Sequence, residues 1–378
     1  MELEHHQLIA LYGFIGALIF GAISSRTHFC TMGAVSDWVN MGSLTRFRVW
    51  FLAMAIAMFG AQAMHSTGMI DLTQSIYLSS NFAWLGHILG GFIFGIGMTI
   101  ASGCGQRTLI RLGGGNLKSF VVFLVLGLSA YSTLRGLLAL LRLEINDATT
   151  VDLSASGLTS QSMPEILGQL TGLSPSIALT ICLVVFGGGA AVFALKDRQV
   201  WTNFDNLLAA VGIGGLIAAA WYTTGVLGFD DFDPIALEAA SFIAPVGNSI
   251  SYFMTYTGST INFGIALVLG LVLGSFLYSI LAGTFRIESF TDKQDLINHV
   301  VGAMMMGFGG VLSLGCTIGQ GISGMSTLAL GSLFTLIFII LGSAFTLKVQ
   351  YYLYDDLGFG HAIKSTLRDA LPGNRDDD

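Results

Sequence analysis

Charged residues are scarce in this chain. Aspartate, glutamate, lysine and arginine make up only 10% of its 378 residues, whereas an ordinary soluble domain has about a quarter. Proline is rarer, with 5 residues, so the 49 glycines do not indicate a collagen-like or disordered chain. The sequence is 53% hydrophobic, and glycine at this density lets transmembrane helices pack closely. The composition therefore predicts an all-α integral membrane protein.

Cysteine is sparse as well. Four cysteines do not make a disulfide framework, and the chain has no Cys-x-x-Cys pair. Cys30, Cys104 and Cys316 each stand beside a glycine-rich or aromatic turn at the end of an apolar segment, whereas Cys182 lies inside one. The chain opens without a basic leader, so no cleavable signal peptide is expected.

Nine apolar segments approach the length of about 20 residues that crosses a bilayer. They are predicted near residues 8–25, 48–64, 83–101, 119–141, 177–195, 206–227, 262–283, 299–314 and 327–347. The loops after odd-numbered segments, together with the tail, hold 14 of the 16 lysines and arginines. By the positive-inside rule, this bias predicts an N-terminus outside and a C-terminus in the cytoplasm.

Two stretches of the chain, 212 residues apart, share one pattern of histidine, glycine and cysteine. The first stretch is His87, Gly90, Gly95, Gly97, Gly103 and Cys104, and the second is His299, Gly302, Gly307, Gly309, Gly315 and Cys316. Because segments 3 and 8 are expected to run in opposite directions, the two copies are inverted, as in many transporters. We therefore predict a single membrane domain with repeats at about 8–141 and 206–347, a connecting span at about 177–195 and a cytoplasmic tail at 348–378.

The cysteine turns are candidate substrate-contact points. The stretch at 317–326, after Cys316, carries no charge, and four segments, after Cys30, after Cys104, around 236–250 and after Cys316, are predicted to be short re-entrant helices that line a cavity. The positive end of such a helix favours an anion. Glycines allow sharp turns there, and glutamines add side-chain donors. The candidate substrate-binding residues are Cys30, Cys104, Cys316, Gln106, Gln320, Gly103, Gly315 and Arg26.

At these residues the chain resembles a known family. The segment Arg26-Thr-His-Phe-Cys-Thr-Met-Gly33 is similar to the Arg-x-x-Phe-Cys signature of the YeeE/YedE family, and the segments ending at Cys104 and Cys316 resemble its two Gly-Cys motifs. The resemblance implies an hourglass-shaped importer of thiosulfate or a related sulfur anion, which passes cysteines at a constriction in the bacterial inner membrane. The family motif often reads Gly-Gly-Cys, whereas Ser102 and Leu314 replace the first glycine here.

Two other classes of function remain open. One is a membrane-embedded sulfurtransferase or thiol oxidoreductase, in which a cysteine would carry a persulfide or a disulfide. The other is a channel for a different small anion, for which the cysteines would not matter. Transport without catalysis is the favoured interpretation, with no metal, cofactor or nucleic-acid partner. Membrane lipid surrounds such a protein, and the resemblance adds a separate small cytoplasmic sulfur-carrier protein as a partner.

Overall fold

The computed structural model describes residues 4–230, 235–354 and 359–370. Within these ranges, nine helical segments are long and apolar enough to cross a membrane, which confirms the predicted number. They are His5–Met41, Thr45–Ser66, Trp84–Gly113, Leu117–Arg135, Pro175–Leu195, Phe204–Leu227, Phe263–Leu281, Lys293–Leu312 and Leu330–Leu353. The all-α membrane fold is therefore confirmed, whereas the equivalence of two inverted repeats stays a prediction.

Several of these spans are built from more than one helix. In chain order the helices are α1 His5–Thr27, α2 Thr31–Met41, α3 Thr45–Ser66, α4 Trp84–Ile100, α5 Gly105–Gly113, α6 Leu117–Arg135, α7 Leu138–Thr149, α8 Met163–Thr171, α9 Pro175–Cys182, α10 Gly189–Leu195, α11 Arg198–Thr202, α12 Phe204–Tyr222, α13 Ile243–Met254, α14 Phe263–Leu281, α15 Lys293–Leu312, α16 Leu330–Tyr354 and α17 Phe359–Ala370. Wider π-helical turns occupy Leu183–Gly188, Thr223–Leu227 and Gly319–Gly324, and short 3₁₀ turns occupy Leu72–Gln74, Ile76–Leu78, Leu153–Ser156 and Tyr256–Gly258.

Two short strands lie outside the helices. β1 (Asn81–Ala83) pairs antiparallel with β2 (Thr150–Asp152), so that Phe82 lies opposite Val151. These strands join the segment before α4 to the segment after α7. The sequence analysis did not predict them, because three residues are too few to show an alternating pattern.

Local side chains fix where several of the spans begin. Asn116, Asn262 and Asp292 precede α6, α14 and α15, and each side chain accepts a hydrogen bond from the backbone three residues further on. Such caps satisfy backbone N–H groups that have no partner inside the helix. The polar residues at the loop ends therefore set the register of the apolar segments.

Three predicted segment limits are wrong. The eighth span begins at Lys293 rather than near residue 299, because Asp292 caps the helix there. The fourth span stops at Arg135 rather than near residue 141, because the extended backbone of Gly136 breaks the helix. The apolar residues that follow it form α7 instead, in which no residue is buried. At the other end of the chain, α16 continues to Tyr354, beyond the expected end at 347. Of the predicted tail, residues 355–358 and 371–378 lie outside the described residues.

Eight of the nine spans pack in pairs through long helix contacts. α1 lies against α14, α3 against α12, α4 against α16, and α6 against α15. A fifth contact, between α4 and α15, joins the two helices that carry the repeated pattern. Adding 212 to the residue numbers carries α4 onto α15 and α6 onto α16, so the contacts of α4 with α16 and of α15 with α6 correspond.

The crossing of α4 and α15 depends on glycine. A Cβ atom on Gly90 would lie 2.7 Å from the carbonyl oxygen of Gly309, and one on Gly97 would lie 2.7 Å from that of Gly302. The earlier residue of α4 thus meets the later residue of α15, so the two helices run antiparallel. Their backbones touch directly at two points, as small residues allow in membrane helices. The crossing holds the two cysteine turns, which follow these helices, in a fixed relation.

Candidate functional site

The three cysteines of the predicted site share one local geometry. Cys30 and Cys104 are the cap residues at the starts of α2 and α5, and Cys316 precedes the turn Gly319–Gly324. Two residues before each cysteine, the backbone is left-handed, with φ values of 53° at His28, 57° at Ser102 and 62° at Leu314. A sharp reversal therefore ends each long helix and directs the next short helix inward. The short helices α2, α5 and α13 and the turn after Cys316 lie at the four predicted re-entrant positions.

Ser102 and Leu314 replace the glycines of the family motif at these reversals. A left-handed conformation costs a non-glycine residue about 1–2 kcal/mol. The chain accepts this cost at both positions, and the turn is retained. The departure from the motif therefore changes side chains and leaves the backbone path in place.

The three thiols lie in one buried region, which we call the thiol row. The Cys30 thiol lies close to the Cys104 thiol, and the Thr317 hydroxyl, next to Cys316, lies close to the Cys104 thiol without a hydrogen bond of good geometry. All four cysteines are free thiols, and Cys104 and Cys316 are completely buried. Cys30, at 9% exposure, is the most accessible of the three. The structure thus brings Cys30 and Cys104 together and links Cys316 to them through its neighbour.

Backbone N–H groups hold two of the thiols in place. The N–H of Gly33 donates to the Cys30 sulfur at 3.5 Å, and the N–H of Gly319 donates to the Cys316 sulfur at 3.4 Å. Each donor is three residues after its cysteine, which is the geometry of a helix cap. The thiol protons stay available for another acceptor, because the sulfur accepts in both bonds.

Polar atoms without partners surround the row. Within the described residues, the hydroxyls of Thr31 and Thr317 and the amide oxygen of Gln106 are buried and make no hydrogen bond. The amide nitrogen of Gln106 donates to the hydroxyl of Ser24 at 3.2 Å. Since buried polar groups are nearly always satisfied, these unpaired atoms indicate a place for a polar ligand or water. The sequence carried a signal, because a threonine follows both Cys30 and Cys316, but the sequence analysis missed it.

Gln320 has a different environment from Gln106. Its amide nitrogen donates to the carbonyl oxygen of Ser313 at 2.6 Å, and its amide oxygen accepts from the hydroxyl of Ser332 at 2.5 Å. Both ends of the side chain are therefore used to hold the turn after Cys316. A contact between Gln320 and substrate would require one of these bonds to open, so its role as a donor stays a prediction.

The two glycines of the Gly-Cys motifs allow close contacts. A Cβ on Gly315 would lie 3.0 Å from Cγ of Gln320, and one on Gly103 would lie 3.2 Å from Cγ of Arg107. Each glycine therefore lets the following helical turn fold back against the end of the preceding helix. In the structure these residues shape the turn through backbone proximity.

The side-chain partners of Arg26 are residues outside the thiol row. Its guanidinium pairs with Asp205 at 2.8 Å and lies over the ring of Phe204, 5.3 Å from the ring centre. The arginines that accompany Cys30 are Arg46, Arg107 and Arg111, which line a cavity of about 280 Å³ together with it. In the sequence, these arginines indicated only the membrane topology. Their spacing was informative, because Arg107 and Arg111 are three and seven residues after Cys104, on one side of α5.

An acidic and a phenolic group lie near the opposite end of the row. The Tyr77 hydroxyl is close enough to the Cys316 thiol and to the Glu238 carboxyl for electrostatic interaction. Burial raises the pKa of Glu238 to about 7. The thiol of Cys316 also interacts with the backbone of Phe242, which begins α13. Phe242 is 212 residues after Cys30, so a phenyl ring stands where the other half has its third thiol.

Cys182 is separate from this site. It ends α9, is 5% exposed and belongs to the apolar core. Within the described residues, no thiol contact links it to the other three cysteines. Cys182 therefore provides a natural control for the chemistry of the row.

Comparison with known proteins identifies the family. Residues 26–345 match the Sulphur transport family. Over 340 residues the chain is 26% identical to the thiosulfate transporter TsuA of Escherichia coli, an alignment that covers 88% of this chain and 92% of that protein. It is 24% identical over 333 residues to the thiosulfate transporter TsuA of Spirochaeta thermophila, with 88% and 96% covered. Because the family match spans most of the sequence, this membrane protein belongs to the Sulphur transport family.

Proposed function

We propose that the chain imports thiosulfate, or a closely related sulfur-containing anion, past the thiols of Cys30, Cys104 and Cys316. The observation that carries this proposal is the buried thiol row itself, in which the Cys30 thiol and the Thr317 hydroxyl, next to Cys316, both lie close to the Cys104 thiol. The two similar transporters support the choice of substrate. The unpaired hydroxyls and amide oxygen beside the row fit the passage of a polar solute.

Neutral thiols suit a path that must release its solute. A bare dianion in a low-dielectric interior carries a large desolvation penalty, so it needs hydrogen-bond donors along the way. Strong cationic ligands would bind the ion tightly and slow its departure. A protonated thiol is a weak neutral donor, and three in sequence provide several shallow stations. We infer that the cysteines act unmodified and that the protein is a transporter without enzymatic activity.

The proposed setting is the bacterial inner membrane, with the N-terminus outside and the C-terminus in the cytoplasm. The distribution of lysine and arginine supports this orientation. In it, Glu238 and Tyr77 lie toward the outside, and Arg46, Arg107 and Arg111 lie toward the cytoplasm. We further propose two inverted repeats that meet at the α4–α15 crossing, supported by the matching contacts of α4 with α16 and of α15 with α6. A separate small sulfur-carrier protein would receive the anion on the cytoplasmic side.

The main test is thiosulfate uptake by cysteine variants in cells without other sulfate or thiosulfate importers. Cys104→Ala and Cys316→Ala should each abolish growth on thiosulfate at unchanged membrane expression. Cys182→Ala is the control, since it removes another buried thiol outside the row, and it should grow normally. Cys104→Ser should retain part of the uptake, because a hydroxyl still donates. Normal uptake by both alanine variants would contradict a role for the thiols.

A second measurement separates transport from sulfur transfer. Purified protein in liposomes should accumulate labelled thiosulfate chemically unchanged. Mass spectrometry of the protein after exposure to substrate should find Cys30, Cys104 and Cys316 without added sulfur. A sulfurtransferase would instead carry a persulfide on one of them. A stable persulfide on Cys30 would overturn the transporter assignment.

A further inference from the structure

The cytoplasm-facing end of the thiol row opens into a strongly basic cavity. A cavity of about 280 Å³ is lined by Cys30, His28, Arg46, Arg107 and Arg111, among others. A second cavity, of about 490 Å³, adjoins it and shares His28, Ser102, Arg107 and Arg111. We call the smaller cavity the arginine pocket. A solute that leaves Cys30 on this side enters the arginine pocket directly.

The positive charge of the arginine pocket is only partly balanced. Arg46 pairs with Asp37 at 3.1 Å, and Arg111 donates to the carbonyl oxygen of Ser102 at 2.9 Å. Arg107 has no carboxylate within ion-pair distance among the described residues, and both it and Arg111 interact electrostatically with Cys30. The pocket therefore has a net positive potential at its inner wall.

The acids of the larger cavity do not remove this imbalance. Glu288 accepts a hydrogen bond from the side chain of Asn116 at 2.6 Å, and Asp295 pairs with Lys118 at 2.6 Å and with His299 at 3.0 Å. Both carboxylates line the larger cavity and neither lines the arginine pocket, although Glu288 interacts electrostatically with Arg111. At the arginine pocket itself three arginines face one paired acid, Asp37, which is bound to Arg46.

We propose that the arginine pocket is a binding site for a small divalent oxyanion, with Arg107 as its principal ligand and Arg46 and Arg111 beside it. The guanidinium group offers paired donors that match the oxygens of such an anion. The residues that line the pocket include no phenylalanine, tyrosine or tryptophan, and its volume is only about 280 Å³, which favours a small inorganic anion over a nucleotide. The claim that the transported anion stops at this site rests on the proposed function. The claim that the site binds sulfate does not depend on transport.

The position of the site gives it a task that the thiols cannot perform. Weak neutral donors let an anion move on, but they do not hold it against return. Cations in a pocket open to water attract the anion while solvent screening keeps the attraction moderate. The arginine pocket therefore acts as an exit station that lowers backflow from the row. Because its proposed ligands are guanidinium groups, which bind oxyanion oxygens, it accepts sulfate as well as thiosulfate.

The test is equilibrium binding of labelled sulfate to purified full-length protein at low ionic strength. The variants are Arg107→Gln, Arg107→Lys and, as the matched control, Arg198→Gln, which removes an exposed cation from α11. Wild-type protein should bind sulfate saturably, Arg107→Gln should bind at least tenfold more weakly, Arg107→Lys should lie between them, and Arg198→Gln should equal wild type. Chloride should compete poorly at matched ionic strength. Melting temperatures and elution profiles verify that each variant is folded, and Arg46→Gln replaces Arg107→Gln if the latter does not fold.

Two results would overturn the site. One is wild-type protein that shows no saturable sulfate binding, and the other is Arg107→Gln protein that binds sulfate like wild type. Failure of the proposed function would give a different pattern, in which sulfate binding depends on Arg107 although liposomes take up no thiosulfate. Cys104→Ala separates the two proposals from the other side, because this variant should lose thiosulfate uptake and still bind sulfate.

Discussion

From the glycine crossing between α4 and α15 we predict how much an added methyl group lowers the stability of the protein. In Gly90→Ala, the new methyl group would lie 2.7 Å from both the Gly309 carbonyl oxygen and the Ser313 nitrogen. These are backbone atoms of a packed helix, so the two helices must separate. Overpacking of this kind costs about 1–3 kcal/mol. Replacing glycine by alanine also stabilises any helix by up to about 1 kcal/mol. Gly16→Ala is the control for this gain, because a Cβ on Gly16 meets no atom within 4 Å.

The measurement is thermal unfolding of the purified protein for both variants. Gly90→Ala should be less stable than Gly16→Ala by about 1–3 kcal/mol, since the helix-propensity gain is common to both. Gly309→Ala should cost a similar amount. The double variant Gly90→Ala with Gly309→Ala should cost less than the sum, because the first methyl group already separates the helices at the shared contact. Equal stability of Gly90→Ala and Gly16→Ala would refute direct backbone contact at this crossing.

Three further predictions concern orientation, pH and backbone strain. Labelling of single-cysteine variants should place residues 145–165 and 228–240 outside and 196–206 inside, and a cytoplasmic 145–165 would contradict the proposed orientation. Uptake should fall as pH rises through about 7, because the Glu238 carboxyl becomes charged and repels an entering dianion. Glu238→Gln should take up thiosulfate equally near pH 6 and pH 8, and a wild-type pH profile in that variant would show that Glu238 is not the titrating group. Ser102→Gly should be as stable as wild type or more stable, by up to about 1 kcal/mol in the free energy of unfolding, whereas Ser102→Val should be less stable. The reverse order in thermal melts would show that the left-handed turn is not strained.

Most of the span pattern could be predicted because it depends on local composition. Each of the nine segments is a continuous apolar run, and the lysines and arginines mark alternate ends. The fourth span shows the limit of this reasoning. Gly136 is followed by Leu137 and Leu138, so hydrophobicity continues where the helix stops. Only the backbone conformation of Gly136 distinguishes one long span from a span followed by a surface helix.

The candidate site was predictable in part. The repeated Gly-Cys pattern indicated Cys104 and Cys316, and the family signature indicated Cys30. That Cys30 touches Cys104 depends on the packing of helices distant in sequence, which no local pattern reports. The sequence analysis also selected Arg26 and used Arg107 only for topology, because an arginine at a helix end has the same appearance whether it meets a phospholipid headgroup, an aspartate or a cavity.

Phe242 makes the two ends of the proposed path different, which they would not be in a perfectly duplicated chain. It begins α13 as Cys30 begins α2, yet it offers a fully buried phenyl ring in place of a thiol. On the proposed path, a solute arriving from the Glu238 side would meet a single thiol beside an aromatic wall, whereas one arriving from the other side would meet two adjacent thiols. The barriers to entry from the two faces are therefore unequal. Once the sites saturate, their occupancy would differ according to the side from which the solute enters, so reversed concentration gradients would then drive unequal fluxes.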